Sequence, residues 1–87
     1  MPTPAQQRRA DHARAAAHEL ADTADILRQV GHADGHIDPR RGDVSLNLAA
    51  LVDTCGRHYR SLPDEVATQA LRVASAVDRA TGQRRSH

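Results

Sequence analysis

Tyr59 is the only Phe, Tyr or Trp residue in a chain of 87 residues. Aromatic side chains usually supply the largest share of buried area in a small core, so here the core rests on seven Leu, two Ile and six Val, helped by many alanines. A chain of this length buries a modest fraction of its surface on folding. A thin aliphatic core at this size commonly needs a disulfide, a metal or a second subunit. Cys55 is the single cysteine, so an intramolecular disulfide is excluded.

The charged residues narrow the function classes. All twelve basic residues are arginine, and they are nearly balanced by eleven Asp and Glu spread through every segment, for a formal net charge of +1. No large field of one sign is implied, and bulk charge points neither to nucleic acid nor to acidic lipid. The opening "MPTPAQQRRADHARAAAHEL" carries no apolar run that would serve as a signal-peptide core, and no segment reaches membrane-spanning length. The expectation is a cytoplasmic protein with no membrane partner.

Apolar spacing is helical in three places. From about residue 5 to 30, Ala10, Ala13, Ala17, Leu20, Ala24 and Leu27 alternate steps of three and four, which keeps them on one helix face. Thr3 with Pro4 marks the start, and Gly31 is expected to end this helix in the left-handed conformation. A second helix is expected over about 45–61, capped by Asp43 or Asn47, with the stripe Val44, Leu48, Leu51, Val52, Cys55, Tyr59 and Leu62. Gly56 inside it suggests a close helix crossing or a bend. A third helix over about 63–81 is announced by "SLPDEV", where Ser61 and Asp64 resemble a capping box, and is ended by Gly82. Its seam of Val66, Ala70, Val73, Val77 and Ala80 is flanked by a second one of Ala67, Leu71 and Ala74. The tail 83–87, "QRRSH", is polar and expected to be mobile. No strand finds a partner, and no repeat is visible.

The sequence therefore predicts one all-α domain: a three-helix up-down-up bundle with a long N-terminal helix. The short connection makes the second and third helices neighbours, and the first returns across them through a loop at 31–43. The alanine-rich front of the long first helix overhangs such a bundle, so dimerisation is the expected completion. The expected partner interface comprises Ala13, Ala17, Leu20, Ala24 and Leu27 with Leu71, Ala74 and Val77. The competing reading is that these seams close the chain's own core.

The loop "GHADGHIDPRRGD" holds the residues that suggest other chemistry. "DGHID" resembles the middle of a calcium loop, but Val30, His32 and Arg41 would occupy positions that need oxygen donors. His32 and His36 are the weak candidates for a zinc or nickel site, with Cys55 and His58 as conceivable additions. Cys55 shares its face with Leu51, Val52 and Tyr59, which favours a small apolar role. A Cys55–His58 nucleophile lacks an oxyanion donor or a third orienting group. "RGD" at Arg41–Asp43 reads as a turn with Asp43 as an N-cap. His18 lies four residues from both Arg14 and Asp22, the spacing of a solvated charged surface.

Arginine pairs raise the nucleic-acid alternative. Arg8 and Arg9, Arg40 and Arg41, and Arg84 and Arg85, with Arg57 and Arg60, would contact phosphates if folding clustered them. Interspersed aspartates and the lack of stacking aromatics argue against it. No sequence feature calls for a cofactor or supports an enzyme. The reading is a non-enzymatic helical interaction module that associates with itself or with another helical protein.

Overall fold

A computed structural model describes residues 1–82 of the chain, all helix and short connections. Three α-helices are formed: α1 (Pro4–Gly35), α2 (Pro39–Arg57) and α3 (Asp64–Thr81), with a single 3-10 turn at Tyr59–Ser61 between the last two. The tail 83–87 lies outside the described residues, so the expectation of mobility there is not addressed.

Local chemistry explains most of the boundaries. The Thr3 hydroxyl accepts from the Gln6 backbone N–H at 3.1 Å while the Gln6 side chain accepts from the Thr3 N–H at 2.9 Å, a reciprocal cap with Pro4 in the first turn. A one-way cap followed by proline starts α2. Asp38 has extended backbone, its carboxylate accepts from the Arg40 N–H at 3.0 Å, and Pro39 is the first helical residue. Gly82 ends α3 at φ 72°, as the sequence implies. The Ser61–Asp64 box does not form. Ser61 is taken up by the 3-10 turn, Pro63 occupies the cap position without a side-chain bond, and Asp64 with Glu65 sits in the first turn, where carboxylates favour the helix dipole.

The expected loop at 31–43 is corrected to three residues, His36–Asp38. Gly31 does not stop the first helix; among the described residues Gly82 alone has positive φ. The reason is tertiary. Gly31 is buried against Leu46 and Gly42, and a Cβ on Gly42 would lie 2.6 Å from the Gly35 Cα and 2.7 Å from the Gly31 carbonyl oxygen. These glycines let the two helix backbones touch where α1 turns into α2. "RGD" is accordingly helical: Gly42 is buried in α2, and Asp43 accepts from the Asn47 side chain at 3.2 Å instead of capping. The second helix thus starts at Pro39, six residues before its expected start, and stops at Arg57.

α1 and α2 run back along each other. Their far end closes at Gly56, whose missing Cβ would sit 3.2 Å from the Leu20 Cβ and 3.3 Å from the Ala17 carbonyl, the close crossing expected there. Contact is most extensive between α1 and α2; α3 lies chiefly on α1 and touches α2 little, so the expected α2–α3 hairpin is not the main pairing. The interior is Leu20, Ala24 and Leu27 of α1, Ala49 and Val52 of α2, and Ala70 and Ala74 of α3. Thr23 is the polar member of this interior, and no buried side-chain N or O atom among the described residues lacks a partner.

The resulting body is long and thin. It measures 53 × 27 × 18 Å with a radius of gyration of 14.5 Å, against about 12 Å for a globular chain of this length. Its accessible area is 6392 Å², against about 5,000 Å² for a monomeric protein of this mass. α1, at about 48 Å by its 32 residues, outreaches α2 and α3 at about 29 and 27 Å. Residues 1–9 are exposed along this overhang.

Candidate interaction surfaces

The structure divides the residues expected to meet a partner. Leu20, Ala24, Leu27 and Ala74 lie within the chain's own core, with Leu20 at 0% exposure, and have no side-chain surface to offer. Leu71 and Val77 are half-buried at the edge of that core. Ala13 and Ala17 are half-buried on α1 where α2 ends. α1 buries its apolar seam inside the chain because the glycine contacts draw α2 onto the whole of it from Ala17 to Gly35.

The apolar surface left over is on α2 instead. Val44, Leu48, Leu51 and Cys55 fall at i, i+4, i+7 and i+11, the spacing of a coiled-coil seam. Val44 is 68% and Leu51 60% exposed, while Leu48 and Cys55 lean on the edge of the core. α2 meets α1 with a different face, that of Gly42, Ala49, Val52 and Gly56. An apolar stripe spanning both faces is wider than one neighbour can cover. Ile37 at the interhelical turn, 81% exposed, and Val66 on α3, 42% exposed, add to the uncovered surface. Ser45, Asn47 and Thr54 flank the seam, with Asp43 beside Asn47 and Arg40 and Arg41 one turn before Val44.

A second feature lies at the overhanging end of α1. There α1, the 3-10 turn and the start of α3 border an open groove of about 680 Å³. Its α1 wall is Arg9, Ala10, His12 and Ala13; Tyr59, Arg60 and Leu62 close its end; Asp64, Ala67 and Thr68 of α3 form the other side. His12 and Tyr59 meet edge to face with centroids 6.3 Å apart. Smaller hollows beside it are lined by Ala5 and Arg8 and by Arg14, Arg57 and His58. Sequence reasoning missed this groove, although the lone Tyr59 beside Arg60 was a hint.

The arginines do not form one basic field. Arg40 and Arg41 start α2 at the turn end of the molecule, whereas Arg8 and Arg9 lie about 40 Å away along α1. Arg84 and Arg85 lie outside the described residues. Several others are matched locally: Arg14 with Asp11 at 3.3 Å, Arg28 with Asp25 at 2.6 Å and Asp53 at 3.7 Å, and Arg57 with Asp53 at 3.4 Å. His18 approaches Asp22 at 3.6 Å, as its spacing implied. These pairs are solvent-exposed and contribute little each.

His32 and His36 change setting with the longer α1. They sit four apart at its last turn and its cap, both exposed. Two imidazoles supply half the ligands a tetrahedral zinc requires, and no group of three or more His, Cys, Asp or Glu among the described residues is arranged to hold a metal. Cys55 is half-buried, and no helix of the described chain is long and apolar enough to cross a membrane. Compared with protein-family models, curated proteins and solved structures, the chain matches none.

Proposed function

We propose that this protein is a non-enzymatic helical interaction module, a three-helix up-down-up bundle that is completed by a second copy of itself through α2. The observation that carries the reading is the uncovered seam Val44–Leu48–Leu51–Cys55. Specific interfaces bury about 800 Å² on each partner. Val44 at 68% and Leu51 at 60% exposure are the apolar side chains that α2 offers to such an interface. Self-pairing of one helix face gives the two-fold symmetry most homodimers have. Of the residues of the first and third helices expected at an interface, Leu20, Ala24, Leu27 and Ala74 are buried in the chain's own core, which favours the α2 seam instead.

Sedimentation equilibrium tests this. The expected species at micromolar concentration has twice the 9.4 kDa chain mass, and Leu51→Glu converts it to a monomer with an unchanged helical circular dichroism spectrum, because Leu51 contributes little to the chain's own interior. A wild-type monomer that unfolds cooperatively over the same concentration range would sink the proposal.

A further inference from the structure

The groove at the overhanging end of α1 is separate from the α2 seam and has its own chemistry. Arg14 and Arg57 nearby are tied to Asp11 and Asp53, but Arg9 and Arg60, which line the groove itself, form no ion pair among the described residues, and neither does Arg8 beside it. Arg14, Arg28 and Arg57 each meet a carboxylate one turn away, whereas Arg40, Arg41, Arg72 and Arg79, like the groove arginines, form no ion pair among the described residues. Here Arg9 and Arg60 come from α1 and the 3-10 turn, so two guanidinium groups from different elements border one concavity. Ala10, Ala13, Leu62 and Ala67 are its apolar lining, and Tyr59 with His12 lines it as well.

We infer that this groove binds a carboxylate-bearing apolar segment of another protein, in the form of an acidic amphipathic helix. Guanidinium groups bind carboxylates through paired N–H donors, and the alanine lining lets a helix approach closely. The volume of about 680 Å³ accommodates several side chains, within the range of ordinary ligand sites. A nucleic-acid backbone suits the groove less. Phosphates are spaced along a strand and need a continuing row of cations, whereas the other arginine pair among the described residues, Arg40 and Arg41, lies about 40 Å off. The inference stands whether or not the protein dimerises, since the groove shares no residue with the α2 seam.

Tyr59 makes the test specific. It is the only Tyr, and there is no Trp, so tyrosine emission of the whole protein reports on this groove when the added ligand is non-aromatic. The probe is an amphipathic peptide of Leu, Ala and Glu. It is expected to change Tyr59 emission saturably, with affinity falling as salt rises, and Arg60→Glu or Arg9→Glu is expected to weaken binding at least about tenfold, a loss of about 1.4 kcal/mol. Both arginines are exposed, so the variants keep the fold, which circular dichroism checks, and Leu51→Glu should leave peptide binding unchanged. Failure to saturate, equal response to a peptide with Lys in place of Glu, or indifference to both arginine substitutions would overturn the inference. So would saturable binding of a DNA duplex in preference to the peptide.

Discussion

Gly42→Ala is the sharpest perturbation of this architecture, because a single methyl group must go where two backbones meet. The new Cβ would stand 2.6 Å from the Gly35 Cα, 2.7 Å from the Gly31 oxygen and 2.8 Å from the Gly35 nitrogen. All three are main-chain atoms, so no side chain can swing aside. Restoring ordinary separation of about 3.5–4.0 Å moves the helices apart by about 1 Å, and a gap of that order forfeits a quarter to a half of each neighbouring dispersion contact. Overpacking of this kind costs about 3 kcal/mol at the upper end of its usual range, and about 1 kcal/mol returns from the better helix propensity of alanine. The net loss of about 2 kcal/mol corresponds to a melting point about 8–16 °C lower for a chain of this size. Gly35→Ala is the matched control, since its Cβ would have a nearest neighbour at an ordinary 3.9 Å. It should melt at or slightly above the wild-type temperature. Thermal circular dichroism at one fixed protein concentration reads both, the fixed concentration being required because association shifts Tm by mass action. The reasoning fails if Gly42→Ala melts as high as wild type, or if Gly35→Ala is equally damaging.

Two further outcomes follow from the same packing. Leu20→Glu should unfold the chain, in contrast to Leu51→Glu, because a charge at a position of 0% exposure has no partner or solvent; a folded Leu20→Glu variant with native helicity would contradict the assignment of Leu20 to the interior. Thr3→Ala removes a cap worth about 1 kcal/mol, but the first turns of α1 are exposed. Hydrogen exchange should therefore show faster exchange at Gln6 and Gln7 with little change in global Tm, and a large Tm loss would mean that the overhang is part of the cooperative unit.

The helical class was legible because it depends on spacing within one segment. Thr3–Pro4 and Gly82 were readable for the same reason, as both act through neighbours in sequence. Gly31 was not. An isolated glycine near the end of an apolar pattern is equally consistent with a left-handed stop and with a close approach of two backbones, and the choice was made by Gly42, eleven positions later. Once Gly31 continues the helix, Asp38–Pro39 becomes a helix start of the same kind as Thr3–Pro4 rather than a bend in a long loop. The burial of Leu20, Ala24 and Leu27 within the chain was not legible for a related reason. Periodicity identified the apolar faces of all three helices but not which of them would be shared, and the pairing of α1 with α2 buried Leu20, Ala24 and Leu27 while leaving Val44 and Leu51 outside. The groove is lined jointly by α1, the 3-10 turn and α3, a relation that no single segment encodes.

The glycine contact beside the turn also orders the events of folding. Gly31 meets Gly42 across a chain separation of eleven residues, whereas Leu20 meets Gly56 across thirty-six. Closing the shorter loop is favoured by about 1 kcal/mol of chain entropy. The hairpin should therefore start at its His36–Asp38 turn and close towards Gly56, with α3, which has few contacts with α2, arriving on a pair already formed. Ala70 and Ala74 then act on the far side of the barrier: they govern how long the folded chain persists, while the residues around the turn govern how quickly it forms.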